Sequence, residues 1–174
     1  MGEPDSAQYW LDFSEEKIPF REDEESYNIQ ALYAINYLKL NNYEQAQLIA
    51  NRIQPVVVRE FNDNFRIFER YESEFNELNE EFESARSSGN VSKQRELRAK
   101  VQNAYNQTQQ FGEQIIQNRQ YLIITQYLHY QSGNDVAAVE LAQEINNLMR
   151  NTPFPTLPNS KEESESEIQR YGIL

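Results

Sequence analysis

The chain offers few side chains that could act as nucleophiles, metal ligands or proton carriers. Its 174 residues include a single histidine, His129, and no cysteine. A metal site would need His129 together with carboxylates, since neither an H-x-x-H nor an H-E-x-x-H spacing is present. Tyr127 and Tyr130 flank this histidine in a segment with helical apolar spacing, which favours a packed, hydrogen-bonded imidazole. We therefore predict no metal site and no cofactor.

The carboxylates are numerous, but their pattern is typical of a solvated helix face. Six glutamates lie within twelve positions: Glu72, Glu74, Glu77, Glu80, Glu81 and Glu83. A general acid needs a desolvated pocket to raise its pKa, and an exposed helix offers none. The sequence also lacks a Gly-x-Ser-x-Gly element and a glycine-rich phosphate loop. We expect no enzymatic activity from this chain alone.

Charge and composition exclude several classes of binding partner. The 28 acidic residues outnumber the 16 basic ones, giving a net charge of −12. Binding to nucleic acid or to an anionic lipid surface requires clustered Lys and Arg, so both partners are disfavoured. Hydrophobic residues make up 39% of the chain and aromatic residues 12%, which is too much for a wholly disordered protein. No apolar run approaches the ~20 residues that span a bilayer, so we expect no membrane insertion by this chain.

Apolar residues recur every three or four positions through most of the sequence, which predicts an all-α fold. We divide the chain into an acidic segment with a short helix (1–26), a helical domain (27–150) and a proline-containing linker with a charged tail (151–174). Pro155 to Pro158 match P-x-x-P but lack flanking basic residues, so we interpret them as extended linker. The tail has room for a turn or two of helix but need not be ordered. Pro55 is expected to kink the chain or to start a new segment.

A long antiparallel helical hairpin is predicted within the helical domain, over residues 59–118. Its first arm carries one apolar seam: Phe61, Phe65, Phe68, Tyr71, Phe75, Leu78, Phe82 and Ala85. The return arm repeats the seam in alternating steps of four and three: Leu97, Val101, Ala104, Thr108, Phe111 and Ile115. This spacing is typical of coiled-coil packing, and Gly89 suits the turn between the arms. The hairpin separates two helix pairs, residues 27–57 and 119–150.

The two helix pairs have similar sequences. When Asn41 is aligned with Gly133, Ala46 falls on Ala138 and Ala50 falls on Ala142. Alanine at these places lets two helices cross closely. The arrangement resembles the tetratricopeptide repeat (TPR). Five residues of the first pair match that family's pattern of small, aromatic and turn positions: Ala34, Tyr37, Asn41, Tyr43 and Ala46.

The second pair matches the TPR pattern less completely. Gly133 and Ala138 stand at the turn and alanine positions, whereas Gln126 and His129 replace the small and aromatic residues. The aligned residues Asn41 and Gly133 lie 92 positions apart, whereas the family repeats every ~34 residues. The resemblance therefore implies TPR-like helix pairs flanking the inserted hairpin.

The TPR resemblance implies a protein- or peptide-binding role and indicates which residues would contact the partner. In that family the first helix of each pair lines a concave face. Its contact positions fall here on Asn28, Ala31, Ile35, Leu38 and Lys39, and on Gln120, Ile123, Tyr127, Tyr130 and Gln131. Several of these are apolar and suited to a core. We expect Asn28, Lys39, Tyr130 and Gln131 to be accessible and to bind the partner.

A narrower resemblance covers roughly residues 12–150. The run from Ser14 to Ile53, the charged aromatic helix after it, and the run from Gln120 to Ile145 look like the soluble C-terminal region of certain large bacterial polytopic membrane proteins. Those proteins are related to protein O-mannosyltransferases. The resemblance implies an accessory domain on the periplasmic side of the inner membrane, with any catalytic machinery in a membrane part outside this chain.

Two alternative functions stay open from the sequence. The hairpin seam could pair with a second copy, so that a homodimer serves as a structural tether. That function requires Phe61, Phe65, Phe68 and Phe75 to be uncovered within one chain. The domain could also shape the acceptor site of a membrane glycosyltransferase, in which case its partner is an adjoining domain of the same protein.

Overall fold

The computed structural model describes Tyr9 and residues 24–172, with only the backbone described at 24–29. In this part of the chain five helices and no strand are found. We number them α1 (Glu24–Lys39), α2 (Tyr43–Ser87), α3 (Val91–Gln131), α4 (Asp135–Met149) and α5 (Lys161–Arg170). The all-α prediction is confirmed. The short helix expected within residues 1–26 lies almost entirely outside the described residues.

Short turns with one left-handed residue connect the first four helices. Asn41, Gly89 and Gly133 have φ values of 56°, 68° and 74°. In the first turn the N–H of Asn42 donates to the carbonyl of Tyr37 at 2.8 Å, and in the last the N–H of Asn134 donates to the carbonyl of His129 at 2.9 Å. Such bonds satisfy carbonyl groups that have no partner within the helix. Each helix therefore ends at the turn that the sequence predicts.

Pro55 does not start a new segment, which was one of the two outcomes expected for it. It lies inside α2, which is assigned as one helix from Tyr43 to Ser87. Proline removes the hydrogen bond to the carbonyl four residues earlier, here that of Asn51. Both Pro55 and Asn51 are exposed, so that carbonyl lies on the solvent side of the helix, where water can replace the missing donor.

The chain divides into two compact units. The first unit combines residues up to Arg59 with those from Asn118 onward, and the second unit is Glu60–Gln117. In the first unit every residue from Leu122 to Tyr130 is buried, as expected for a helix that is apolar on more than one face. This stretch of α3 forms the centre of the first unit.

Within the first unit, residues aligned by the internal similarity have similar burial. The aligned pairs in which both members are buried are Gln30 and Leu122, Ala31 and Ile123, Tyr33 and Thr125, Ala34 and Gln126, Asn36 and Leu128, Leu38 and Tyr130, Ala46 and Ala138, Ile49 and Leu141, Ala50 and Ala142, Ile53 and Ile145, and Val57 and Met149. A clear exception is Leu32, which is 52% exposed, whereas its counterpart Ile124 is buried. The two helix pairs therefore direct equivalent positions to the interior.

In the second unit, members of the predicted seam on α2 contact residues of α3, of which Phe111 belongs to the predicted seam and Tyr105 and Gln94 do not. The rings of Tyr71 and Phe111 stack with centroids 6.0 Å apart, and those of Phe75 and Tyr105 lie 5.7 Å apart. Nearer the turn, the side-chain amide of Gln94 donates to the carbonyl of Ala85 at 3.2 Å. Among these contacts, residues nearer the C-terminal end of α2 contact residues nearer the N-terminal end of α3.

The aromatic seam is largely covered within one chain. Its buried members are Phe61, Phe65, Phe68, Ala85, Leu97, Ala104, Thr108 and Ile115. Phe75, the fourth residue named for the tether function, is half-buried and contacts Tyr105. The requirement that these four phenylalanines be uncovered in one chain is not met.

The C-terminal segment belongs to the first unit: residues 155–158 have no regular secondary structure, and the charged tail forms α5. Leu157 and Pro158 are buried, and α5 buries Ser164 and Ile168. The hydroxyl of Ser160 accepts the N–H of Glu163 at 3.2 Å and caps the N-terminus of α5. A capped helix with a narrow buried face can form from a highly charged sequence because the rest of its surface stays in water.

Candidate functional site

The predicted contact residues differ in their accessibility. Lys39 is exposed at the end of α1, and Gln131 is half-exposed at the end of α3. Tyr130 is only 6% exposed, so the expectation that it is accessible is wrong. It belongs to the stretch of α3 that is buried on every side. Asn28 lies in α1, and its side chain is outside the described residues.

Most of the remaining TPR contact positions are also buried. Four of them have no more than 2% of their surface exposed: Ala31, Leu38, Ile123 and Tyr127. Burial raises the pKa of the Tyr127 hydroxyl. These four positions and Tyr130 therefore belong to the core in this chain.

A cavity of about 340 Å³ lies beside the start of α2 and the end of α3 in the first unit. It is lined by Tyr43, Glu44, Gln47, Leu128 and Ser132. Tyr43 begins α2 just after the turn that follows Lys39, and Ser132 directly follows Gln131. Lys39 and Gln131, the two accessible contact candidates, therefore lie close in sequence to residues that line this cavity.

His129 is buried and hydrogen-bonded, as the sequence predicts. Its Nε2 lies 2.9 Å from Oε1 of Gln54, an acceptor, so Nε2 carries the proton. Its Nδ1 is buried and has no hydrogen-bond partner in the described part of the chain. Burial lowers the pKa of the imidazole, which therefore stays neutral near pH 7. Among the described residues there is no group of three or more His, Cys, Asp or Glu side chains arranged to hold a metal ion.

A cluster that our sequence analysis missed holds the main chain of residues 156–158. We call Arg119, Gln126 and Asn146 the main-chain clamp. Arg119 donates from Nε and Nη2 to the carbonyl of Thr156, at 3.2 and 2.7 Å. Gln126 donates from Nε2 to the carbonyl of Pro158 at 2.7 Å. Two side chains of α3 thus bind carbonyls on either side of Leu157.

Asn146 of α4 pairs with Leu157 as a neighbouring strand would. Its Oδ1 accepts the N–H of Leu157 at 2.6 Å, and its Nδ2 donates to the carbonyl of the same residue at 3.0 Å. The Leu157 side chain is completely buried. Pro158 has no N–H and so requires no acceptor in this buried position. Every polar main-chain group from the carbonyl of Thr156 to that of Pro158 therefore has a partner in the clamp.

The charge of Arg119 is compensated by the C-terminal segment. Its side chain is only 6% exposed, and Nη1 lies 3.3 Å from a carboxylate oxygen of Glu167 and donates to the hydroxyl of Tyr171 at 3.0 Å. A buried cation is costly unless it is paired and hydrogen-bonded. Removing the C-terminal segment would leave this guanidinium without the partners described above.

A second cavity, of about 390 Å³, opens beside this ion pair. Its lining is Arg119, the segment Pro155–Asn159 and three residues of α5: Glu163, Ser166 and Glu167. The available sequence signal for the clamp is limited to Gln126, which lies within the strongly apolar stretch Leu122–Tyr130, since buried polar groups require partners.

In comparisons with known proteins, no family model matches this sequence, and no curated protein or solved structure shows significant similarity to it. None of the helices described is both long and apolar enough to cross a bilayer. The function is therefore argued from the arrangement of the helices and from the two surfaces described above.

Proposed function

We propose that this chain is a non-catalytic protein-interaction domain, built from two TPR-like helix pairs that flank a long antiparallel helical hairpin. The observation that carries the proposal is the shared burial of residues 92 positions apart, from Gln30 and Leu122 to Val57 and Met149. Repeated helix pairs of this kind commonly serve as scaffolds that present a surface to other proteins. The hydrogen-bonded turns at Asn41 and Gly133 do not by themselves indicate repeated helix pairs, because the hairpin turn at Gly89 has the same hydrogen-bonding pattern.

The hairpin part of the proposal is supported by contacts within the second unit. Tyr71 with Phe111, Phe75 with Tyr105 and Ala85 with Gln94 follow one another toward the turn at Gly89. Along these contacts the residue number falls on α3 as it rises on α2. Two helices that are joined by a short turn and contact each other in this order form an antiparallel pair. The hairpin in this proposal is a rigid element, and the partner binds the first unit.

For the partner surface we propose the end of the first unit at which Lys39 and Gln131 are accessible. Lys39 offers a cation in an otherwise acidic chain, and Gln131 offers an amide that can both donate and accept. The cavity lined by Tyr43 and Leu128 supplies apolar surface next to them in sequence. A protein partner, or an adjoining domain of a larger protein, would combine these contacts.

From the narrower resemblance we further propose that the domain is an accessory part of a larger bacterial membrane-associated protein and lies on the periplasmic side of the inner membrane. Its own described helices would then remain outside the bilayer. Burial of Phe61, Phe65 and Phe68 argues against the alternative of a dimeric tether, since those side chains are not available to a second copy. No specific observation favours the acceptor-shaping alternative.

Site-specific photo-crosslinking in the native cell tests the proposed surface. A photoreactive residue at Lys39 or at Gln131 should give one discrete adduct with the same partner, identified by mass spectrometry. The matched control is the same photoreactive residue at Glu80, which is exposed on α2 in the second unit. The proposal is wrong if neither position gives an adduct, or if Glu80 gives the same adduct in equal yield.

A further inference from the structure

The main-chain clamp recognises a short extended segment by the features that a peptide ligand presents. Arg119, Asn146 and Gln126 bind the carbonyl of Thr156, both polar groups of Leu157, and the carbonyl of Pro158. Peptide-binding grooves combine such main-chain hydrogen bonds, which supply affinity, with pockets for individual side chains, which supply specificity. The clamp has both parts.

The side-chain requirements of the clamp can be stated position by position. Thr156 is exposed, so its side chain adds little to recognition. The side chain of Leu157 is completely buried, so its size and shape must fit the space that holds it. Pro158 is buried where a residue with an N–H would need a further acceptor. The ligand read by the clamp is therefore any residue followed by Leu-Pro in extended conformation, with a carboxylate further along to pair with Arg119.

We propose that the clamp is a docking groove for an extended Leu-Pro segment of a partner protein, and that residues 156–158 occupy this groove in cis. The inference deepens the proposed function by naming the chemistry of a partner. It relies on that function only in assuming that the chain binds protein. It concerns a different surface from the one at Lys39 and Gln131.

Because the clamp residues are polar, we expect a partner segment to replace residues 156–158 directly and do not expect the groove to stand empty. An unoccupied groove would leave the Arg119 charge and the amides of Asn146 and Gln126 without these partners. A tethered segment competes at an effective concentration on the order of millimolar. A partner segment must therefore bind more tightly than the cis segment or meet a chain in which that segment is weakened.

The test uses the full-length chain with Leu157→Ser and a labelled synthetic peptide that copies residues 151–172. The substitution weakens the cis segment and leaves all three clamp residues unchanged. We expect the peptide to bind the variant at least tenfold more tightly than it binds the unmodified chain. A control peptide with the same Leu-to-Ser change should bind the variant at least tenfold more weakly than the native peptide does.

Failure to bind, or equal binding of the two peptides, overturns the proposal when circular dichroism shows that the variant is folded. Should the variant unfold, amide hydrogen exchange on the unmodified chain decides. A groove that exchanges its ligand requires the Leu157 amide to exchange at least tenfold faster than that of Ile123 in α3. Equal protection at both amides would mean that the segment is a permanent part of the fold, and the proposal would be wrong.

The two experiments separate the two proposals. If the peptide fails to bind but photo-crosslinks from Lys39 and Gln131 are found, the proposed function stands and only the groove is rejected. If the peptide binds and the crosslinks are absent, the groove stands and the surface at Lys39 is rejected.

Discussion

His129 couples the stability of the first unit to pH. The neutral imidazole is buried, donates to Gln54 at 2.9 Å, and has its pKa lowered by burial. In the unfolded chain its pKa returns to about 6.5. Above that value both states are neutral and His129 adds no pH dependence. Below it the unfolded state binds more protons, so stability falls until the pH passes the lowered pKa of the folded state.

We therefore expect His129→Gln to reduce the acid sensitivity of the fold. Glutamine keeps a side-chain donor toward Gln54 and cannot be protonated in this range. Between about pH 7.5 and pH 5, the variant should lose less of its free energy of unfolding than the unmodified chain does. Urea-unfolding midpoints at the two pH values give the comparison. Parallel losses in both proteins would show that His129 does not carry the pH dependence.

The residues that sequence reasoning placed well are those whose environment is local. Lys39 closes a helix and is exposed, and His129 sits among apolar neighbours and is packed. Arg119 could not be placed in this way, because its partners Thr156 and Glu167 lie 37 and 48 positions along the chain. Tyr130 was misplaced because a family contact position was assumed to be open. Here α3 has neighbours on every side.

At the scale of helices, the alanines at the two crossings test the repeat-like packing. Ala46 is completely buried, and Ala142 is 4% exposed. Ala46→Leu and Ala142→Leu add side-chain volume to a packed crossing and should each cost about 1–3 kcal/mol of unfolding free energy. Ala99→Leu, at an exposed position on α3 in the second unit, is the matched control and should stay within about 0.5 kcal/mol of the unmodified chain.

Chemical unfolding of the three variants measures these differences. If both crossing variants match the Ala99→Leu control, the helices do not approach closely at Ala46 and Ala142, and the TPR-like packing is wrong. A loss confined to one crossing would limit that packing to one helix pair.

Helix positions could be predicted from the sequence wherever a turn residue marked them. Asn41, Gly89 and Gly133 adopt positive φ at the three predicted turns. The effect of Pro55 on the helix and the formation of α5 could not be predicted in the same way. Whether a proline breaks a helix depends on which side faces solvent, and α5 depends on the surface that buries Ser164 and Ile168. Neither condition is visible in the local sequence.

For the whole molecule we expect a monomer in solution. The seam that would join two copies is largely covered within one chain, and the net charge of −12 makes two copies repel each other. Light scattering behind a sizing column should give a mass near 20.6 kDa. A species of twice that mass, reverting to the single mass when Phe68 and Phe75 are made polar, would instead support the dimeric tether.

The main-chain clamp has a practical consequence for anyone who shortens or fuses this protein. A fragment that stops at residue 150, where the predicted helical domain ends, would delete Thr156, Leu157 and Glu167 and remove the carbonyl and the carboxylate that Arg119 binds. Recombinant fragments should therefore extend through Tyr171, whose hydroxyl also accepts from Arg119. A reporter fused directly after Met149 would damage the fold it is meant to observe.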